Sequence, residues 1–210
     1  MPRPSPLQNR AAPDGSLHAV AARGLLMGNR GGRLHRIDGT LGAARWVSRA
    51  WIACRLDFRD RRRQVMGASY TEIFFLDEAT ALAAGHRPCF ECRRADAHAF
   101  ADAWARATGR ARPPRAGEMD LALHAERLGR PETLARGALP AGAIFRLDGG
   151  FRLCMAGGVL AWSFEGYRPA ADVPPGQPVV AVTPASVRAV LAAGYRPGLH
   201  PSAGAQLSAR

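Results

Sequence analysis

Phe74–Arg94, FFLDEATALAAGHRPCFECRR, carries several structural signals in succession. The aromatic and β-branched lead-in, YTEIFFL (Tyr70–Leu76), reads as a strand. Asp77 is a good side-chain acceptor for the first turn of a helix, DEATALAA. Gly85 supplies the left-handed residue that ends this helix, and Pro88 prevents its resumption. Cys89 and Cys92 then form a C-x-x-C just ahead of a second helix, RADAHAFADAWARATG, which stacks Ala97, Phe100, Ala101 and Trp104 on one stripe. Two thiolates at this spacing can converge on one metal ion while turn N–H groups hydrogen-bond to sulfur. A redox dithiol of the thioredoxin type would follow a strand in a βαβ unit; here a helix precedes, which favours zinc. Two unliganded thiols packed as small hydrophobes are the plain alternative.

Upstream, Arg45–Asp77 reads as a β-meander. Ile52, Cys54, Leu56 and Phe58 alternate with Ala53, Arg55, Asp57 and Arg59, the period of a half-buried strand. The run RDRRR is its polar turn, QVM (Gln64–Met66) a short return strand, and YTEIFFL the third strand. Residues 1–26 are rich in Pro, Ser and Ala without period and are expected to form a disordered tail. Downstream, RARPPRAG (Arg110–Gly117) is a break and the expected domain boundary. EMDLALHAERLG follows as a helix with Met119, Ala122 and Leu123 inward. AIFRL, FRLCM and VLAWS then alternate with DGG and AGG turns, VVAV adds a strand, and TPASVRAVLAAG a helix capped by Thr183. The expected fold is α+β: a small zinc module over residues 27–112, then a second α+β unit with a β-meander over 116–210. LAAGHRPC (Leu82–Cys89) recurs as LAAGYRPG (Leu191–Gly198), which reads as one helix-stop solution used twice.

The chain has 210 residues, enough for one good core or two small ones, and its 47% hydrophobic content is that of a globular protein. No apolar run approaches the ~20 residues that span a bilayer. Pro2, Pro4, Pro6 and Pro13 interrupt any signal-peptide core, so a soluble cytoplasmic protein is expected. Four cysteines in that setting do not argue for a disulfide framework. All 29 basic residues are arginine, against 17 acidic residues, for a net charge of +12. Codon usage can explain arginine over lysine, but not the excess. A polyanion partner is expected, DNA rather than RNA, because neutralising phosphates releases counterions.

On FFLDEATALAAGHRPCFECRR the chain resembles the zinc-binding N-terminal domain of the Ada DNA-alkylation-repair protein, whose pattern there is an aromatic pair followed by E-A-x-x-A-G-[FY]-R-P-C-x-x-C. Ile52–Arg59, IACRLDFR, is similar to that family's C-R-P-S-C-R segment, and the resemblance covers roughly residues 45–95. It implies Cys54, Cys89 and Cys92 as zinc ligands. Phe58 stands where the family has its remaining cysteine. The family's first cysteine accepts a methyl group from a DNA phosphotriester, and four thiolates keep that sulfur nucleophilic. With Phe58 in place, His35, Asp57, His86 or the distant Cys154 must complete the shell, and His35 is preferred. An imidazole there lowers the site's negative charge and makes Cys54 a poorer methyl acceptor. Cys154 otherwise reads as a small buried hydrophobe, and His86 as decoration of a helix stop.

Other residues suggest further chemistry. Arg59, Arg61, Arg62 and Arg63, with Arg93 and Arg94, are candidates for phosphate contacts beside the metal; a solvated charged turn is the alternative. GNRGGRLHR (Gly28–Arg36) lacks the order of a P-loop and is either a phosphate contact or a solvated lead-in. His124-Ala125-Glu126 together with Pro88-Cys89-Phe90-Glu91-Cys92 contains both parts of a zinc-deaminase signature, in reversed order. His124 and Glu126, with Asp120 one turn earlier, would otherwise serve a metal-dependent hydrolase or nuclease. Three functions therefore stand open: a zinc-stabilised nucleic-acid-binding protein of DNA repair or processing, such a hydrolase, and a zinc-stapled interaction protein.

Overall fold

The helix read from Asp77 becomes the centre of the molecule. In the computed structural model, which describes residues 4–60 and 64–205, α1 (Glu78–Ala83) is buried along its whole length. Asp77 caps it, accepting from Thr80 N at 2.9 Å and Thr80 Oγ1 at 2.8 Å. The small side chains of EATALA let it feed several cores at once. Ala81 and Ala84 pack with Ile73 and Phe75, Ala79 and Ala83 with Ile144 and Leu153, and Leu82 with Phe100 and Leu123.

Two six-stranded sheets flank these cores. The first contains β1 (Gln8–Ala11), β2 (Leu17–Ala19), β3 (Leu26–Asn29), β4 (Ile52–Arg55), β5 (Ile73–Phe75) and β6 (Arg87–Pro88), in the order β2-β1-β5-β3-β4-β6. The second contains β7 (Thr133–Ala135), β8 (Ile144–Leu147), β9 (Gly150–Met155), β10 (Gly158–Ser163), β11 (Gly166–Pro169) and β12 (Pro178–Ala181), in the order β11-β10-β9-β8-β12-β7. Helices α2 (Arg94–Thr108), α3 (Ala116–Leu128), α4 (Ala185–Ala192) and α5 (Pro201–Ala205) complete the α+β architecture. Among the described residues no helix is long and apolar enough to cross a membrane.

The second half follows the sequence pattern closely: AIFRL, FRLCM and VLAWS are the antiparallel strands β8, β9 and β10. Thr183, however, does not cap α4. Pro184 holds the cap position, and Thr183 Oγ1 instead accepts from Ile144 N at 2.8 Å, pinning the helix entry to β8.

The first half corrects the meander. QVM is not a strand, and β4 and β5 do not pair; β3, from the end of the expected tail and the start of GNRGGRLHR, lies between them. Gly28 explains the fit: a Cβ there would lie 2.3 Å from Ile52 O and 2.8 Å from the Phe75 ring. Residues 8–19 are also not an unstructured tail. They form a hairpin closed by Ala12 N to Ser16 O, and β1 runs parallel beside β5, with Arg10 stacked 4.6 Å over Phe74. The expected boundary at Arg110–Gly117 does not separate two cores. One apolar cluster runs from Phe100 and Trp104 of α2 through Met119 and Leu123 of α3 to Phe145, Val187 and Leu191.

The repeated LAAG-x-RP segments share one helix stop. Gly85 and Gly194 both have positive φ, 78° and 101°. His86 N bonds to Ala81 O and Tyr195 N to Val190 O, the wider bond of a Schellman turn. The second copy then meets the start of α1: Tyr195 Oη donates to Glu78 Oε1 at 2.6 Å and Gly198 N to Glu78 Oε2 at 2.8 Å. Arg93 Nη2 completes that buried carboxylate at 2.8 Å. A second buried pair, Arg87–Asp120, is bidentate at 2.8 Å on both arms and ties β6 to α3.

Asp120→Ala leaves the Arg87 guanidinium buried without its counter-ion, and urea unfolding should show a loss of about 3–5 kcal/mol. The paired replacement Arg87→Met/Asp120→Leu should recover most of it; a loss as large as the single variant's would show that the charge is not what matters.

Candidate metal centre

Three elements bring three thiols together. Cys54 lies on β4, opposite Met27 of β3. The parallel pairing of β4 with β6 aligns Ala53 with Pro88, and Cys89 N extends it by donating to Ala53 O at 3.0 Å. The chain then turns, and Arg93 N bonds back to Cys89 O at 3.0 Å, placing Cys92 just before α2. The sulfurs of Cys54, Cys89 and Cys92 all lie within 4.8 Å of one another. Cys54 and Cys89 are buried and Cys92 half-buried.

Backbone donors complete the knuckle. Glu91 N points at Cys89 Sγ at 3.4 Å, and the Cys92 and Arg55 N–H groups face Cys89 and Cys92 sulfur respectively. The hydrogen bond from Cys54 and the N–H groups of Cys92 and Glu91 draw the Cys89 thiol down to about 5. Its partners move the other way: Cys54 is raised by giving its proton to Cys89 and by burial, and Cys92 is raised by burial. One ready thiolate beside two thiols that lose their protons when a cation arrives is a donor set suited to a soft or borderline metal ion. Such an ion can be held by the three cysteines.

Among the described residues no fourth Cys, His, Asp or Glu atom groups with these sulfurs. His35, the preferred fourth ligand, is engaged elsewhere: Nδ1 with Thr71 Oγ1 at 2.7 Å and Nε2 with Gly67 O at 2.8 Å. It fastens two loops together rather than facing the cysteines. His86 is fully buried against the Trp51 and Phe75 rings, at 4.9 and 4.6 Å between centroids, and burial pushes its pKa well down. Asp57 is exposed and outside the group. Cys154 is buried in the apolar cluster of α2–α4, and burial raises its thiol to about 12.

His124 does not join Cys89 and Cys92; Cys54 takes that place, so the deaminase arrangement does not form. Glu126 accepts from Ser186 N at 3.0 Å and Ser186 Oγ at 2.8 Å, capping α4, while Asp120 is held by Arg87. Neither carboxylate is left to act as a general base beside His124. Of the expected phosphate contacts, Arg93 is excluded, being buried between Glu78 and Asp96. Arg94 is exposed, and Arg59 is exposed with a loose 3.8 Å pairing to Glu91. Arg61, Arg62 and Arg63 lie outside the described residues.

A second polar constellation was not anticipated. The guanidiniums of Arg30 and Arg127 both lie over Trp51, at 3.9 and 4.2 Å from its ring. Nothing local in GNRGG signals this, because an arginine's type does not report its burial. No protein-family model, curated protein or solved structure matches the chain.

In metal-free folded protein, a thiol reagent should consume the Cys54–Cys89–Cys92 group well before Cys154, which should react only on unfolding. Mass mapping of the modified peptides checks the order; early labelling of Cys154 would contradict its place in the core.

Proposed function

We propose that the chain is a zinc–thiolate protein that binds nucleic acid and works in DNA repair or processing. The observation that carries the zinc reading is the convergence of Cys54, Cys89 and Cys92, with N–H groups directed at sulfur, at the junction of a sheet edge and a helix start. Zinc accepts such thiolates tetrahedrally, and three of them leave one position for water or an added ligand. Three thiolates give the centre a net charge near −1, less than a four-thiolate site would carry. That favours a structural or ligand-binding role over methyl acceptance at Cys54.

The nucleic-acid reading is supported by the +12 net charge and by exposed Arg55, Arg59 and Arg94 close in sequence to the three cysteines. These would contact phosphates by charge and so carry little sequence preference. The resemblance of residues 45–95 to the Ada zinc domain points the same way. The hydrolase reading is weaker, since Glu126 and Asp120 both have structural partners.

Elemental analysis should find about one zinc per chain, and Cys89→Ser should lose it together with sulfur-to-cobalt charge-transfer absorption in cobalt-substituted protein. Full zinc retention by Cys89→Ser would end the metal reading. Affinity for duplex DNA should fall with a steep log–log salt dependence, and Arg59→Ser/Arg94→Ser should reduce the slope by about 2. Absence of binding at low salt would end the nucleic-acid reading while leaving the zinc centre intact.

A further inference from the structure

A cavity of about 490 Å³ opens where the β1–β2 turn, the end of α1, α3 and the β12–α4 connection meet. Its lining includes Arg45, Trp46, Trp51, His124, Arg127, Arg130, Arg146 and Arg188. We propose that this cavity binds a free nucleoside monophosphate, the phosphate among the arginines and the base against Trp46. The proposal does not depend on the metal centre.

The charge of the cavity favours an anion. Arg30, 2% exposed behind the wall, donates to Gly15 O at 2.7 Å, Arg45 O at 3.4 Å and His86 Nε2 at 3.4 Å. Arg127 donates to Gly85 O at 2.7 Å and Arg49 O at 2.9 Å, and its buried Nε has no partner. These partners are carbonyls and a neutral imidazole, not carboxylates. Burial lowers the pKa of Arg30 to about 9 and of Arg127 to about 10, yet both stay charged at neutral pH. One buried and one half-buried like charge, 3.9 and 4.2 Å from one indole, are costly unless anions offset them.

The nearby acids offset this charge only in part: Asp14 acts on Arg30 and Glu126 on Arg127, but five lining arginines stand against three lining acids, each of them also bound elsewhere. Glu126 is bound to Ser186, Glu132 is paired with Arg188, and Asp14 accepts from Ser16 N and Oγ at 3.0 and 2.6 Å. Arg45, Arg130 and Arg146 have no carboxylate partner among the described residues, and all three are exposed where they line the cavity. His124 adds a buried Nδ1 without a partner.

Size and shape select the organic part. The volume lies within the roughly 300–1,000 Å³ of small-molecule sites, far more than a bare phosphate fills. Trp51 is covered by the two guanidiniums, whereas Trp46 is half-buried, 5.5 Å edge-on to His124, and presents an indole to the cavity. Aromatic side chains of this kind hold a planar base by stacking, and fixed guanidiniums favour phosphate oxygens.

Calorimetric titration of the full chain with AMP, adenosine and inorganic phosphate tests this. AMP should bind saturably, at least about tenfold more tightly than either fragment, because each fragment forfeits one half of the contacts. Arg130→Ser/Arg146→Ser, both exposed and so safe for folding, should weaken AMP about tenfold or more. The charge-matched control Arg112→Ser/Arg168→Ser, away from the cavity, should not. Trp46→Leu should bring AMP affinity down towards that of phosphate. No saturation up to roughly 10 mM AMP at low salt, or equal weakening by the control pair, overturns the proposal.

Discussion

The buried carboxylate of Glu78 is the constraint on which the rest of the architecture depends. It sits in the first turn of α1, where the helix end favours negative charge, and its oxygens gather Arg93, Tyr195 and Gly198. Arg93 is the residue before α2 and directly follows Cys92, so this ion pair sets the position of the C-x-x-C turn. Tyr195 and Gly198 belong to the exit from α4, so the same carboxylate holds the C-terminal segment against the central helix. An ion pair this deep is not strong evidence for stability. Its value is in geometry: each of the three partners has one place to be, and thiols able to hold a metal ion need their sulfurs placed to within a fraction of an ångström.

A second theme is the uneven treatment of arginine. Arg93 and Arg87 are buried with carboxylates, at Glu78 and Asp120, and serve as structural rivets. Arg30 is buried and Arg127 half-buried, both hydrogen-bonded to carbonyls and stacked on an indole, with carboxylates only at longer range. Arg55, Arg59 and Arg94 face solvent near the cysteines. One side-chain type therefore does three jobs, decided by the counter-charge available. The planar, weakly hydrated guanidinium makes this possible, since it tolerates burial against an aromatic ring better than an ammonium would.

Much of the fold was legible because local chemistry was explicit. Asp77 and Gly85 bracket α1, the Ala97–Trp104 stripe defines α2, and the DGG and AGG turns separate the long strands of the second sheet. The misreadings share a cause. The strands β1, β2 and β3 are three or four residues long, too short for a period of two to register, and β3 contains a glycine that the sheet needs for close approach. Within the site, Cys89 and Cys92 were legible from spacing and Cys54 through family resemblance. His35 and Arg93 were misassigned because side-chain type gives ligand chemistry but not direction.

The amino-acid sequence by itself determined most helix ends, the C-x-x-C turn and the antiparallel run of the second half, which rest on interactions within a few residues, and the excess of positive charge, which is a matter of composition. Only the tertiary structure decided that β3 enters between β4 and β5 and that the two halves share one core. It also decided which arginines pair with a carboxylate and which line the cavity without a direct carboxylate partner. Those outcomes depend on contacts between residues far apart in the chain, where burial and the nearest counter-charge, not the identity of the side chain, set what each group can do.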